Sequence, residues 1–201
     1  SYVEKRLFFY IDPSLQTETA LQRVGLSSHD PYLCLLPGGG GSWGNKAHYK
    51  YWPLEHYHAL IKKISSRYPM KMVLIGSDGD RERCATLHQA FPSHTLDLCG
   101  KTPLHETALI MKLARLILGT ESGPLHIATA LERPTIALFG PVDARTYGPL
   151  SSHPRHHTAY VDLPCRPCYR HFRVPTCDNR LCLQGLQPDD VFMRVTSLLQ
   201  S

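Results

Sequence analysis

The sequence has no long apolar run, and this absence limits what kind of protein it can encode. No stretch of its 201 residues approaches the roughly 18 consecutive apolar residues that a membrane-spanning helix needs. The first ten residues mix charged with apolar side chains, unlike the apolar core of a signal peptide. These absences predict a cytoplasmic protein, whose cysteines are not expected to form disulfides.

Several familiar ligand-binding patterns are also missing. The glycine run Gly38–Gly41 is not closed by Gly-Lys-Ser/Thr, so it is no Walker loop, and it is not a GxGxxG opening directly into a helix. No RNA- or DNA-binding motif and no platform of aromatic and basic residues appears. The sequence therefore predicts no nucleic-acid partner.

The composition is that of a globular domain with one basic region. Hydrophobic residues make up 42% of the chain, and its formal net charge is +5. Segment 151–182 carries five arginines against two aspartates, hence three of those positive charges, with four histidines. Such a region favours an anionic partner such as a membrane surface or a phosphorylated glycolipid; a solvated basic loop is the alternative.

Short apolar runs alternate with helical patterns along the chain. Strands are predicted at Tyr32–Leu36, Lys71–Ile75, Thr95–Leu98, Leu116–Leu118, Ile136–Phe139 and Thr158–Val161. Helices are predicted at Leu15–Val24, Pro53–Tyr68, Asp78–Phe91, Pro103–Leu113, after Ser122, and at Pro188–Leu199. This alternation predicts an α/β, Rossmann-like fold, with a parallel sheet and helices on both faces.

The most informative segment is Leu116–Pro141, which has the pattern of strand, turn, helix and strand. Ser122 is placed to cap the helix, with Pro124 in its first turn. A turn at the carboxyl end of a strand and the amino end of a helix is where open α/β sheets bind ligands, and free helix amides suit a phosphate. Glu121 and His126 lie at the mouth of this predicted site.

Three turns are predicted to share one edge of the sheet, because each follows a strand: Pro37–Gly44, Gly76–Asp80 and Gly119–Gly123. In the first turn, consecutive glycines would let a phosphate approach the backbone closely. Lys50, just before the next helix, would reach a diphosphate as a point charge. Taken singly, the first turn also fits a flexible surface loop, and Lys50 a solvated lysine.

In order and spacing, these motifs resemble glycosyltransferase family 9, the ADP-heptose:lipopolysaccharide heptosyltransferases, over roughly residues 31–199. The residues that carry the resemblance are Pro37-Gly38, Lys50-Tyr51-Trp52-Pro53, Leu74-Ile75-Gly76, Asp97-Leu98-Cys99-Gly100-Lys101-Thr102, Glu121-Ser122-Gly123-Pro124-Leu125-His126-Ile127-Ala128-Thr129-Ala130-Leu131 and Ala137-Leu138-Phe139-Gly140-Pro141.

The resemblance implies one half of a two-domain GT-B enzyme that transfers heptose, with inversion, to the lipopolysaccharide core. Residues 31–201 resemble the C-terminal, nucleotide-sugar-binding half, with a cysteine-rich basic segment at 151–182. Residues 1–30 are interpreted as a lead-in or linker from a missing N-terminal domain. That domain would hold the acceptor and the catalytic base, so the chain alone is expected to bind donor without turnover, with peripheral contact at the inner membrane.

The resemblance also implies diphosphate-binding residues. Ser42 and the glycine loop would contact the diphosphate, and Ser122 and Gly123 would supply helix amides. Lys50 would neutralise the diphosphate and stabilise the leaving ADP. It is the only residue to which the resemblance assigns a catalytic role. A mechanism without a required cofactor is expected, in which Lys50 and the helix amides act on the diphosphate.

Further residues are assigned to the sugar and the nucleoside. Glu121, where the family more often has aspartate, would bind sugar hydroxyls. His126 would lie near the diphosphate or hold the turn. Asp78 would meet the ribose or cap the following helix, and Leu98 and Lys101 would border the adenine.

The seven cysteines divide into two groups. Three lie in predicted strands, helices or strand ends and are expected to be buried thiols: Cys34, Cys84 and Cys99. The other four have spacings of two, eight and four intervening residues: Cys165, Cys168, Cys177 and Cys182. Four thiolates could hold a structural zinc or a small iron–sulfur centre, although the last two spacings differ from common zinc ribbons; free thiols are the alternative.

Three functions stay open from the sequence. The first is the donor-binding half of a heptosyltransferase. The second is a non-catalytic, metal-stapled module that docks on an anionic membrane or partner. The third is a glycosyltransferase that uses another nucleotide sugar.

Overall fold

The computed structural model describes residues 9–11, 17–149 and 153–200, arranged around one parallel β-sheet. Its strands are β1 (Tyr32–Leu36), β2 (Lys71–Leu74), β3 (Thr95–Asp97), β4 (Ile117–Thr120), β5 (Thr135–Leu138) and β6 (His156–Ala159). Their order across the sheet is β3-β2-β1-β4-β5-β6, and each neighbouring pair is parallel. The α/β prediction is confirmed, with strand bounds shifted by a residue or two.

A helix lies in each connection between consecutive strands, and further helices precede β1 and follow β6. They are α1 (Thr17–Arg23), α2 (Leu54–Arg67), α3 (Arg81–Ala90), α4 (Leu104–Leu113), α5 (Gly123–Ala130), α6 (Ala144–Tyr147), α7 (Leu181–Gln184) and α8 (Pro188–Gln200). The sequence did not predict α6 and α7, which at four residues each are too short to show a helical period. None of the helices in the described ranges is both long and apolar enough to cross a membrane.

The sheet is buried on both faces. Leu33 and Leu35 of β1 pack in a cluster with side chains of α2, α3 and α8. Cys34 and Leu36 of the same strand pack on the opposite face, with side chains of α1, α4 and α5. Because neither face of the sheet centre meets water, the central strands β1, β4 and β5 are buried along their whole length without alternation, which confirms the predicted layers.

The neighbouring strands β1 and β4 mark the place where the strand order reverses. The chain leaves β1 towards α2 on one face, and it leaves β4 towards α5 on the other. A crevice opens where the two connections diverge, outside the carboxyl ends of the strands. This topology brings the turns after β1, β2 and β4 to one edge.

The predicted helix Asp78–Phe91 begins later than expected. Asp78–Asp80 forms a 3-10 turn ahead of α3, and Ser77, not Asp78, caps it. The Ser77 backbone N–H and hydroxyl both donate to Asp80 Oδ2, at 2.9 and 2.7 Å. The expectation that Asp78 caps the helix is therefore wrong, because the carboxylate of Asp80 completes a capping box with Ser77.

The close contact of β1 with β4 predicts a large effect of Gly119→Ala. A Cβ atom on Gly119 would lie 2.3 Å from Leu36 Cβ and 2.6 Å from Leu36 O. We expect the free energy of unfolding to fall by about 1–3 kcal/mol, because the strands must move apart. Urea unfolding measures the change. Gly41→Ala is the control, since nothing lies within 4 Å of its added Cβ; equal midpoints for the two variants would contradict the prediction.

Candidate functional site

A cavity of about 300 Å³ lies at the carboxyl ends of β1, β2 and β4. All three predicted turns contribute to it, which confirms that they meet at one edge. Its lining residues are Leu36, Gly38, Gly40, Gly41, Ile75, Gly76, Ser77, Asp80, Ser122, Gly123 and Pro124.

The glycine loop is packed against a buried carboxylate. Asp80 is 4% exposed, and a Cβ on Gly38 would lie 2.0 Å from its Oδ1 atom. On its other side, Gly38 accepts a hydrogen bond from the Thr120 hydroxyl through its carbonyl oxygen. Glycine is needed at position 38 because no side chain fits between the two turns, so this part of the loop is a packed wall of the cavity.

Lys50 and Glu121 form an ion pair beside the cavity. Lys50 Nζ lies 2.7 Å from Glu121 Oε2, and the two side chains are only 4% and 13% exposed. Glu121 Oε1 lies 3.7 Å from His126 Nε2. The structure thus brings together three predicted site residues, and two of them carry opposite charges that hold each other in place.

The surroundings of Glu121 keep its carboxyl group ionised. Burial alone would raise its pKa, but hydrogen bonding by His126 and the positive charge of Lys50 outweigh burial and lower the pKa below the ordinary value. A carboxylate so held at neutral pH fixes the lysine ammonium and stays a hydrogen-bond acceptor.

Ser122 and Gly123 form the amino end of α5, as predicted. Ser122 is the N-cap residue, but its side chain makes no capping hydrogen bond. Its Oγ atom is buried and has no hydrogen-bond partner among the described residues. Because both residues line the cavity, that hydroxyl and the start of the helix are available to a ligand there.

Lys50, Glu121 and His126 are not among the described residues that line the cavity, and neither are three further predicted residues. Asp78 is exposed and pairs with Arg81 at 2.6 Å. Leu98 is buried in the hydrophobic core, and Lys101 pairs with Asp97 at 2.8 Å. Contacts of Leu98 and Lys101 with adenine, and of Asp78 with ribose, stay predictions. The side chain of Ser42 lies outside the described part of the structure.

Sequence reasoning missed Arg83, which joins two of the motifs. Its guanidinium donates to the Pro37 carbonyl at 3.1 Å and to the Trp52 carbonyl at 2.7 Å. It also lies over the Tyr51 ring, 4.3 Å from the centroid. Arg83 therefore ties the start of the glycine loop to the segment that follows Lys50. No local signal marks it, because both of its hydrogen-bond acceptors are backbone atoms distant in sequence.

The profile of the family described as "Glycosyltransferase family 9 (heptosyltransferase)" matches residues 10–174. The chain belongs to this family. The resemblance found in the motifs is therefore confirmed, and it extends through the glycine loop, Lys50, Glu121 and the start of α5.

Known heptosyltransferases resemble this family 9 chain over part of their length. Lipopolysaccharide heptosyltransferase 2 of Salmonella typhimurium is 32% identical over 130 residues, which cover 63% of this chain and 36% of that protein. Lipopolysaccharide heptosyltransferase 1 of Pseudomonas aeruginosa is 28% identical over 206 positions, covering 93% and 54%. The chain thus spans about half the length of the latter protein, and less of the former.

A solved structure shows the same fold. The structure of E. coli ADP-heptose lps heptosyltransferase II superimposes with a TM-score of 0.75 at 23% sequence identity. The match covers 96% of this chain and 53% of that one. This family 9 chain therefore shares its fold with that structure.

Four cysteines of the basic segment are the candidate metal ligands of this family 9 chain: Cys165, Cys168, Cys177 and Cys182. Burial, together with the nearby thiols of Cys168, Cys177 and Cys165, raises the pKa of Cys182 to about 11. Within the described ranges, however, no three His, Cys, Asp or Glu side chains converge as a ligand set. The zinc or iron–sulfur centre at these cysteines therefore stays a prediction.

The buried ion pair predicts a pH-dependent stability. Because the folded pKa of Glu121 is lowered, its stabilising contribution is complete above pH about 4.5 and is lost as the pH falls through the folded pKa. Glu121→Gln should lower the free energy of unfolding at neutral pH by about 3–5 kcal/mol, since the Lys50 ammonium stays buried without its partner. It should also weaken the acid dependence.

Urea unfolding between about pH 3 and pH 7 tests this dependence. Glu106→Gln is a matched control, because Glu106 has a similarly low exposure of 12% but pairs with Arg23, whose side chain is 65% exposed. We expect about 1 kcal/mol or less for the control. If the two variants lose the same free energy of unfolding, the Lys50–Glu121 pair stabilises the fold no more than an exposed pair does, and the prediction is wrong.

Proposed function

We propose that this chain binds the nucleotide diphosphate sugar of a heptosyltransferase, with ADP-heptose as donor. The observation that carries the proposal is the buried Lys50 ammonium, which lies 2.7 Å from the carboxylate of Glu121. Glu121 in turn lies just before the start of α5. A cation and helix amides beside one cavity suit a diphosphate. The printed name of the E. coli structure, an ADP-heptose lps heptosyltransferase, supports this choice of donor.

In the proposed reaction, Lys50 acts on the leaving diphosphate and Glu121 acts on Lys50 and the sugar. In transfer, an acceptor hydroxyl oxygen bonds to the anomeric carbon and its proton passes to a general base. The bond between the anomeric carbon and the diphosphate oxygen breaks, and negative charge collects on the departing ADP. Lys50 and the amide of Gly123 stabilise that charge, which lowers the barrier when it develops in the transition state. Glu121 Oε2 holds Lys50, and Oε1 is available to accept hydrogen bonds from sugar hydroxyls.

We further propose that the acceptor and the general base come from protein outside these 201 residues, as the resemblance implies. The acceptor is then the lipopolysaccharide core, and the reaction inverts the anomeric centre. On this proposal the isolated chain binds donor and catalyses no transfer.

Donor binding is tested by nucleotide titration. We expect ADP to raise the melting temperature at millimolar concentration, because it binds only the folded chain. UDP and GDP, titrated in parallel, should bind more weakly. Lys50→Ala should weaken ADP binding at least about tenfold, since a buried charge that meets the diphosphate is lost.

Two comparisons sharpen this titration. Each variant's melting temperature is compared with its own ligand-free value, because Lys50→Ala also leaves Glu121 unpaired. Lys62→Ala removes an exposed lysine of α2 and should leave ADP binding unchanged. If none of the three nucleotides shifts the wild-type melting temperature, donor binding is refuted; if UDP or GDP binds best, another nucleotide sugar replaces ADP-heptose.

We also propose peripheral contact with an anionic membrane, supported by one exposed turn. Arg170 and Arg173 pair across it as an isolated antiparallel bridge, and His171 and Phe172 at its tip both have positive φ, 50° and 61°. The Phe172 side chain is 88% exposed. An exposed aromatic ring between two arginines suits the boundary between lipid headgroups and acyl chains.

Vesicle cosedimentation tests the membrane contact. We expect binding to vesicles with phosphatidylglycerol that falls several-fold with Phe172→Ala, because the inserted ring is lost. Leu104→Ala is the control, since Leu104 is also exposed, at 59%, but lies at the start of α4. Equal binding to purely zwitterionic vesicles, or no effect of Phe172→Ala, would exclude this turn as a contact with anionic lipid.

A further inference from the structure

The cysteine segment, residues 165–182, touches the loop that carries Lys50 at two points. The Tyr169 ring stacks on the Trp43 ring, with centroids 4.5 Å apart and planes 25° from parallel. Arg180 Nη1 donates to the His48 carbonyl at 2.7 Å. Trp43 and His48 both lie in the 3-10 segment Gly41–Lys50. A segment from near the end of the chain thus packs on the loop after β1.

Tyr169 is itself firmly held. The backbone N–H groups of Cys168 and Tyr169 both donate to the Pro141 carbonyl, at 3.1 and 3.0 Å. The Tyr147 ring meets the Tyr169 ring edge to face, with centroids 6.0 Å apart and planes at 66°. Pro141 closely follows β5, so the Tyr169 ring is anchored to the sheet and not only to the loop it touches.

Trp43, in contrast, lies in an irregular segment whose own hydrogen bonds do not fix its position. The 3-10 segment Gly41–Lys50 is interrupted at Gly44, whose φ of 51° and ψ of −128° are not helical. The segment therefore consists of two short 3-10 pieces joined at a kink, and 3-10 helices have poorer hydrogen-bond geometry than α-helices. The position of this segment therefore depends on contacts with other parts of the protein.

The same indole ring reaches the ion pair. Lys50 Nζ lies over the Trp43 ring, 5.2 Å from its centroid, and forms the pair with Glu121. Trp43 is the shared element, because it contacts Tyr169 through its ring and Lys50 through a cation–π interaction. Lys50 is only 3% exposed, and the indole helps to keep water from it.

We propose that Tyr169 is a positioning residue of the donor site. Through Trp43 it holds the 3-10 segment and the Lys50 ammonium where a diphosphate binds. This inference rests on the proposed donor function and gives the cysteine segment a part in it. A flexible lysine side chain loses substantial conformational entropy when it binds a ligand, so contacts that order it beforehand increase affinity.

Calorimetric titration of the 201-residue chain with ADP tests the proposal. Tyr169→Ala should weaken ADP binding about 3- to 10-fold, the range expected for loss of an aromatic pair that orders the site. Tyr169→Phe keeps the ring and should bind as wild type does. Phe172→Ala is the matched control, because it removes another aromatic ring from the same segment, and it should leave ADP affinity unchanged.

The wavelength of tryptophan emission from the folded protein reports the surroundings of Trp43 and does not depend on overall stability. The chain has two tryptophans, and Trp52 is fully buried with its indole N–H bonded to the Leu186 carbonyl at 2.8 Å. A red shift in folded Tyr169→Ala therefore reports exposure of Trp43. The same shift should be absent when Tyr169→Ala is combined with Trp43→Phe.

Arg180→Ala removes the other contact between the two segments, the hydrogen bond to the His48 carbonyl. It should also weaken ADP binding, without any change at Tyr169.

The outcomes separate this inference from the function on which it rests. If the wild-type chain binds no ADP, the donor function fails first. If wild type binds ADP and folded Tyr169→Ala binds equally well, with unchanged emission, the positioning role is overturned while the donor function stands. Should Tyr169→Ala not fold, Tyr169→Leu keeps apolar bulk without the aromatic face, and wild-type affinity in that variant would equally overturn the role.

Discussion

The buried pair of Lys50 and Glu121 is the interaction on which the site depends. An ammonium group almost fully removed from water is costly unless a carboxylate lies beside it. The pair joins the loop after β1 to the turn after β4, although about seventy residues separate them in sequence. Such a pair can form because β1 and β4 are neighbours in the sheet, which brings their carboxyl ends together.

A second buried carboxylate organises the remaining turn. Asp80, after β2, is satisfied by the backbone and hydroxyl of Ser77 and lies where a side chain on Gly38 would have to be. The turns after β1 and β2 can pack together only because position 38 has no side chain. The glycine run thus has a packing role as well as the phosphate-binding role predicted for it, and the two requirements are compatible in one loop.

Features that depend on residues close together in sequence could be predicted, whereas contacts between distant segments could not. Apolar runs and helical periods are local, and they predicted the six strands and the long helices. Strand ends predicted that Glu121 and Ser122 lie at one edge with the glycine loop. The contacts of Arg83 and Tyr169 could not be predicted, because their partners lie in other segments and neither residue type nor spacing specifies such a contact.

By itself, the sequence determined the layers of the fold, the edge that holds the site and the family, because these depend on local patterns and on motif order. Only the tertiary structure decided how the candidate residues are used. It paired Lys50 with Glu121, directed Asp78 and Lys101 into pairs with Arg81 and Asp97, and packed the cysteine segment on the Lys50 loop. These outcomes required close packing of chain segments far apart in sequence, where geometry and the cost of burying charge select the partners.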